Sequence, residues 1–265
     1  MLKINDLTCG YDSNPIIKEI TFNLNRGEIL GIIGPNGSGK TTLLRGMTRL
    51  IKPDSGTIFF EERDIWETDI KDLARSIAVV PQGGAVSDMS VEEFVLLGRI
   101  PHYKKFQFFD TKRDRTVSER SMGLTDTLRF RGRSILEMSG GERQLIFIAR
   151  ALAQEPKLLL LDEPTTYLDI THQVSILDLV RRLNRELQLT VIMVLHDLNL
   201  ASEYCDRLLL LSQGSLHSLG TPEEIIDYKI IEEVYKTKVV IGHSPVSSKP
   251  YSFLVSKDIL NNDRE

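Results

Sequence analysis

Gly34-Pro35-Asn36-Gly37-Ser38-Gly39-Lys40-Thr41 is the stretch whose reading decides the fold of this chain. It follows a continuous apolar run, Ile29–Ile33, and precedes a helical pattern that begins near Lys40. The spacing G-x-x-x-x-G-K-[ST] between a buried strand and a helix is that of a triphosphate-binding loop. Glycines there let backbone N–H groups converge on phosphate oxygens with no side chain in the way. The helix N-terminus adds partial positive charge at the same spot. In such a loop Gly34, Asn36, Gly37, Ser38 and Gly39 form the cradle and Lys40 reaches the β- and γ-phosphates. The Thr41 hydroxyl faces Mg²⁺, and Thr42 helps hold the β-phosphate region. Taken alone, the loop does not separate a kinase from a GTPase or an ATPase motor.

Working outward, apolar runs of strand length recur at Ile77–Val80, 158–161, 191–195 and 208–211, each followed by a helical pattern. Continuous runs of this kind suit strands buried on both faces of a parallel sheet, and their alternation with helices predicts an α/β fold. Residues 2–24 read differently, as short alternating strands with a turn near residues 12–15, so a small antiparallel sheet is expected beside the parallel core. From about residue 86 to 153 the strand–helix rhythm stops. Helices are expected at 90–98, 111–121 and 140–154, which predicts an inserted helical subdomain. Across residues 99–133 ten basic side chains face four acidic ones. That surplus reads either as a solvated face or as a surface for acidic lipid headgroups or an acidic partner. Thr221-Pro222-Glu223-Glu224 opens a helix with a cap and a proline at its first position. Beyond it the signal weakens, and residues 261–265 are expected to fray. The expected division is a nucleotide-binding core of residues 1–85 and 154–220, a helical subdomain of 86–153, and a C-terminal extension of 221–265.

Composition narrows the classes further. The chain has 265 residues, 41 % hydrophobic and 26 % charged, with a formal charge of −4. Disordered, collagen-like and disulfide-scaffold classes are excluded. The mild acidity argues against a dedicated nucleic-acid binder. Cys9 and Cys205 make no disulfide framework and are expected to be inert thiols. No secretory leader is expected from the first residues, and no apolar run approaches the roughly 20 residues of a membrane span.

Leu158-Leu159-Leu160-Leu161-Asp162-Glu163-Pro164 ends an apolar strand on two adjacent acids. In open parallel sheets ligands sit at the carboxyl ends of strands. Asp162 is placed to face a magnesium ion and Glu163 to polarise an attacking water. Met138-Ser139-Gly140-Gly141-Glu142 opens another helix with bare N–H groups, a second anion-seeking helix start.

With these landmarks in order, the chain resembles the ATP-binding cassette (ABC) ATPases over almost its full length. Residues 34–42 resemble the Walker A loop, and Gln82 in Val79-Val80-Pro81-Gln82 the Q-loop glutamine. Residues 138–142 resemble the LSGGQ signature, and Asp162 and Glu163 the Walker B acid and catalytic glutamate. Leu168-Asp169 resembles the D-loop and His196 the switch histidine. Tyr11 lies where the family places an aromatic under adenine. The signature departs from the family pattern at Met138, a swap of similar volume, and at Glu142, which sets a carboxylate where the family has an amide. Gly98-Arg99-Ile100-Pro101-His102, Leu168-Asp169-Ile170-Thr171-His172-Gln173 and His196-Asp197-Leu198-Asn199-Leu200-Ala201 look most like the importers of iron–siderophore, haem and cobalamin.

The resemblance implies a P-loop NTPase (RecA-like) core with a small antiparallel β-subdomain and an inserted α-helical subdomain. It implies ATP hydrolysis with Mg²⁺ held by Thr41, Gln82 and Asp162, and catalysis by Glu163, His196, Gln82 and Lys40. It further implies a homodimer in which Ser139, Gly140, Gly141 and Asp169 of one copy face the nucleotide of the other. The partners would be polytopic membrane permease subunits and, indirectly, a substrate-binding protein, with no nucleic acid, at the cytoplasmic face of the cell membrane. A cassette ATPase acting on DNA or ribosomes, an importer of another substrate such as molybdate, and a P-loop kinase are the alternatives. His102, His172, His217 and His243 show no metal-site spacing.

Overall fold

The computed structural model describes residues 1–12, 14–84 and 86–256; the expected fraying at 261–265 lies outside them. The chain divides into two compact units, Met1–Glu62 with Met193–Glu265, and Arg63–Ile192. The first unit opens with β1 (Leu2–Tyr11), β2 (Asn14–Leu24), β3 (Ile29–Ile33), α1 (Lys40–Met47) and β4 (Ser55–Phe60). The second runs through β5 (Arg63–Asp64), α2 (Ile70–Ser76), β6 (Ile77–Val80), α3 (Val91–Leu96), α4 (Lys112–Leu124), α5 (Gly140–Leu152), β7 (Leu158–Asp162) and α6 (Ile170–Leu187). The unit boundary falls within β8 (Thr190–Val194). The first unit then resumes with α7 (Leu198–Tyr204), β9 (Arg207–Ser212), β10 (Ser215–Gly220), α8 (Pro222–Ile225), α9 (Tyr228–Tyr235), β11 (Val239–His243) and β12 (Pro250–Leu254).

In the first unit β1 pairs antiparallel with β2, Leu2 opposite Leu24 and Tyr11 opposite Asn14, and also with β4. Leu2 and Ile4, then Leu7 and Cys9, of β1 are buried; the two-residue alternation is reset between Ile4 and Leu7, where the pairing register shifts and Asp6 takes φ +47°. Beside this antiparallel layer β3 pairs parallel with β9, Leu30 opposite Arg207 and Ile33 opposite Leu210. Every residue of β3 is buried, as a two-sided interior strand requires. Gly31 is needed there, because a Cβ would stand 2.7 Å from the Cys205 sulfur and 2.8 Å from Leu208. Cys9 and Cys205 are both buried, and burial, with Asp54 nearby, pushes the Cys9 thiol up to about 11, so it stays protonated and unreactive.

The stretch past Thr221 holds more structure than its sequence announces. The Thr221–Glu224 box forms, with the Glu224 carboxylate accepting from the Thr221 amide at 2.9 Å. After α9 the chain makes a hairpin, β11 against β12. The hairpin is tied to α7 by polar groups rather than by an apolar pattern. Asn199 accepts from the Ser252 amide at 2.7 Å and donates to its carbonyl at 3.2 Å, much as a neighbouring strand would. The Ser202 hydroxyl donates to the Pro250 carbonyl at 2.8 Å, and Lys249 donates to the carbonyls of Ser202 and Glu203 at the end of α7.

In the second unit β6 pairs parallel with β7, Ile77 opposite Leu158 through Val80 opposite Leu161, and β7 is buried throughout. The expected helix at 90–98 is α-helical only to Leu96 and tightens into a 3₁₀ turn over Leu97–His102. Pro101 supplies no N–H to continue the α ladder. That turn is fastened to the end of α5. A Cβ on Gly98 would stand 2.2 Å from the Arg150 carbonyl, and His102 Nε2 meets the Gln154 carbonyl at 2.9 Å. Arg99, 1 % exposed, pairs with Asp114 at 3.1 Å and Glu155 at 2.9 Å and donates to the Ala153 carbonyl at 2.6 Å. Burial pushes the Asp114 carboxyl up, but the Thr111 hydroxyl and amide together with Arg99 outweigh it and hold it below the usual range. Replacing Arg99 by Ala is therefore expected to destabilise the second unit by about 3–5 kcal/mol, the cost of leaving a buried partner unmatched. A fall in the urea midpoint measures it.

Candidate functional site

In the first unit the chain leaves β3 at Gly34 and turns into α1 through backbone that only glycine adopts without strain, with φ of +78° at Gly37 and +101° at Gly39. A Cβ at Gly37 would meet nothing within 4 Å; at Gly39 it would stand 2.5 Å from Ile17. Helix α1 has no acidic residue in its first turn to compete for an anion. Lys40 is 6 % exposed and its ammonium donates to the carbonyls of Gly34 and Pro35, both at 2.9 Å. The Ser38 hydroxyl, 3 % exposed, has no hydrogen-bond partner among the described residues, and Thr42 is buried. An orphaned hydroxyl and a buried ammonium resting on loop carbonyls, at the N-terminus of a helix with no acid in its first turn, form a donor set that fits a polyphosphate. The Thr41 hydroxyl belongs to the oxygen class that suits a hard divalent cation.

Two further predicted residues sit in this unit. Tyr11, 42 % exposed at the end of β1, accepts a 2.7 Å hydrogen bond from Arg45 of α1, which steadies its ring. His196 is exposed just past β8, and Asp197 caps α7 by accepting from the amides of Asn199 and Leu200. Behind the phosphate loop lies a cleft of about 360 Å³ lined by Asn36, Ser38, Gln213, His217, Glu233 and Lys236. The Tyr235 hydroxyl is buried near the Gly34 amide without reaching hydrogen-bond geometry, and burial pushes the phenol up to about 12. Sequence reasoning did not connect α9 to this loop; the only available signal was the amphipathic pattern of Tyr228–Tyr235.

In the second unit Asp162 ends β7 at 8 % exposure. Glu163 takes a left-handed backbone, φ +51°, which turns the chain sharply as it leaves β7. Gln82, reaching from beyond β6, donates its amide to the Glu163 carboxylate, and the Thr166 hydroxyl donates to the same oxygen at 3.0 Å. Two donors thus hold the carboxylate where the turn aims it. Thr166 was not among the expected residues.

The signature segment and the turn before α6 also meet in this unit. Asp169 caps α6, accepting from the His172 amide and from its ring Nδ1, both at 2.8 Å. The amide first, then the ring, hold the Asp169 carboxyl below the ordinary range. A Cβ on Gly141 would stand 2.0 Å from the His172 ring, and one on Gly140 3.4 Å from Leu168, so the diglycine permits close packing of α5 on this turn. Met138 is buried, as a residue of leucine's volume should be. Glu142 folds back into a capping box: its carboxylate accepts from the Ser139 amide at 2.9 Å and hydroxyl at 2.8 Å. The Ser139 amide, then its hydroxyl, then Arg133 and Arg129 hold the Glu142 carboxyl below its usual range.

Among the described residues no group of three or more His, Cys, Asp or Glu side chains could hold a metal ion within itself. No helix there is long and apolar enough to cross a membrane.

Residues 17–166 match the family model of the ABC transporter domain. The petrobactin import ATP-binding protein FpuD of Bacillus anthracis is 38 % identical over 250 residues, covering 94 % of this chain and 91 % of that protein. The iron(3+)-hydroxamate import ATP-binding protein FhuC of Bacillus subtilis is 36 % identical over 265 residues, all of this chain and 97 % of that one. Among solved structures, an inward-facing transporter described as being of the metal-chelate ABC type superposes with TM-score 0.86 at 28 % identity, covering 97 % of this chain and 98 % of that one. A dimeric ATP-binding cassette bound to ADP and phosphate superposes with TM-score 0.72 at 28 % identity, over 84 % of this chain and 99 % of that one.

Proposed function

The chain belongs to the ABC transporter family, and from that premise we propose that it hydrolyses ATP to power uptake of a metal chelate (a ferric siderophore, haem or cobalamin) through partner membrane subunits. The observation that carries the substrate class is end-to-end likeness, 36 % identity across the whole chain, to a protein named for iron(3+)-hydroxamate import. Two copies would act together against two polytopic permease subunits, at the cytoplasmic face of the membrane, with a substrate-binding protein delivering cargo from the other side.

The chemistry is phosphoryl transfer to water, which depends on position and charge more than on covalent catalysis. The amides of residues 36–41 and the Lys40 ammonium grip the β- and γ-phosphates, with Thr42 beside the β-phosphate; Lys40 exchanges the Gly34 and Pro35 carbonyls for phosphate oxygens. Tyr11 stacks on adenine. Thr41, Asp162 and Gln82 would hold Mg²⁺, which offsets phosphate charge when bound. Glu163 accepts the proton of the attacking water, and His196 contacts the γ-phosphate. Because Gln82 already holds Glu163, a shift of Gln82 toward the nucleotide frees the base, and this couples nucleotide occupancy to catalysis.

Ser139, Gly140 and Gly141 of one copy would face the nucleotide of the other, with Asp169 beside them. The γ-phosphate then belongs to the dimer interface, and its loss supplies the differential affinity that opens the pair. Glu142 places a carboxylate next to that contact. Glu142→Gln keeps the capping box, so stability should change by less than about 1 kcal/mol. ATP-driven dimerisation should tighten, which light scattering measures. The carboxyl sits below its ordinary pKa. Its capping contribution is therefore present at neutral pH and is lost only as pH falls through that lowered value.

Reconstitution with partner permease subunits and a substrate-binding protein in liposomes tests the whole reading. ATP-dependent accumulation of a labelled ferric siderophore, haem or cobalamin is expected, and uptake that ignores ATP contradicts it.

A further inference from the structure

Between the 3₁₀ turn Leu97–His102 and α4 the chain reads Tyr103-Lys104-Lys105-Phe106-Gln107-Phe108-Phe109-Asp110-Thr111. Phe106, Phe108 and Phe109 are 79, 80 and 83 % exposed. Single exposed apolar residues are ordinary on a soluble surface, but three rings within four positions are not. The mechanism above uses none of them.

The loop is built, not slack. Gln107 turns inward: its amide N–H donates to the Lys104 carbonyl at 3.0 Å, its side-chain oxygen accepts from the Lys104 amide at 3.1 Å, and its side-chain nitrogen donates to the Phe109 carbonyl at 3.0 Å. Phe106 is held in left-handed backbone, φ +67°, which an aromatic residue adopts only under constraint. The base of the loop is anchored by Lys71 of α2, which reaches the Tyr103 carbonyl at 3.4 Å, and by the Thr111–Asp114 capping box. With Gln107 folded in, the rings on either side are presented outward.

Charge completes the surface. The acids of this segment are already paired, Asp110 with Arg115 and Asp114 with Arg99. Lys104 and Lys105 before the rings, and Lys112 and Arg113 after them, are exposed and form no ion pair among the described residues. Part of the basic surplus read from residues 99–133 thus forms a cationic collar around the three rings, with the Lys105 ammonium 5.4 Å from the centre of the Phe106 ring, while Arg99, Arg115, Arg129, Arg131 and Arg133 form ion pairs with acids. Apolar side chains that enter the acyl boundary, with lysines held at headgroup level, are the two signals that together give a peripheral protein stable membrane attachment.

We propose that residues 104–113 form an interfacial anchor that binds an anionic lipid surface, with Phe106, Phe108 and Phe109 entering the headgroup region and Lys104, Lys105, Lys112 and Arg113 contacting lipid phosphates. The contact is direct and needs no permease. It also stands apart from the transport reading, since a cassette with another cargo would carry the same anchor.

The test is co-sedimentation of the purified full chain with phosphatidylcholine vesicles, with and without about a quarter phosphatidylglycerol. Binding to the anionic vesicles alone is expected, weakening with salt. Combined Phe106→Ser, Phe108→Ser and Phe109→Ser replacement should weaken it by at least about tenfold. ATP hydrolysis by that variant in solution should stay unchanged, which shows that it is folded and reads the enzyme separately from the anchor. Absence of vesicle binding, equal binding to neutral vesicles, or undiminished binding by the triple variant overturns the proposal. Binding that appears only when permease subunits are present overturns it too, and assigns the rings to a protein partner instead.

Discussion

Replacing Glu163 with Gln is expected to leave ATP binding intact and to slow hydrolysis by about 10³-fold, within the usual range for loss of a positioned general base. The substitution is nearly isosteric. A glutamine oxygen at the same place still accepts from Gln82 and Thr166, the two donors that now hold the carboxylate, so the sharp turn at φ +51° keeps its shape. What disappears is the basic lone pair. Phosphate release under saturating ATP measures the loss, and equilibrium nucleotide binding verifies that the site persists. On the proposed head-to-tail dimer, the variant should also accumulate as an ATP-bound dimer, because γ-phosphate loss is slowed. Normal turnover by this variant would show that another group takes the proton.

Lys40→Ala is expected to fail one step earlier. The ammonium is nearly buried and is held by two carbonyls, so it is already desolvated and aimed before nucleotide arrives. A charge-assisted hydrogen bond to phosphate is worth about 1.5–3 kcal/mol, which corresponds to a loss of about 10- to 150-fold in ATP affinity for each such contact. Titration with a fluorescent ATP analogue measures it. The pair of variants separates binding from chemistry: one binds without turning over, the other scarcely binds. Equal nucleotide affinity in Lys40→Ala would remove the lysine from the phosphate cradle.

The features legible in the sequence are those whose cause is local. A run of apolar residues buried on both faces needs no partner to be recognised, and β3 and β7 are buried at every position. The turn between β3 and α1 demands residues that tolerate φ > 0 at fixed steps, so the glycines at 37 and 39 announce it. The capping boxes at Ser139 and Thr221 are likewise four-residue devices. Segments read as markers of a subgroup acquire physical reasons once the fold is known. Arg99 and His102 lock a 3₁₀ turn onto the end of α5, and Asn199 holds the C-terminal hairpin.

The amino-acid order by itself determined the class of fold, the phosphate cradle and the acids at the end of the buried strand, because each is encoded within a few consecutive residues by backbone geometry or hydrophobic period. Tertiary structure alone decided that Gln82 grips Glu163 across 81 residues of chain, that the His172 ring fills the space above Gly141, and that three phenylalanines face outward while the neighbouring arginines are consumed in pairs. Such contacts join side chains distant along the chain. Their energy depends on which surfaces the fold brings to hydrogen-bonding or packing distance, and no local pattern carries that information.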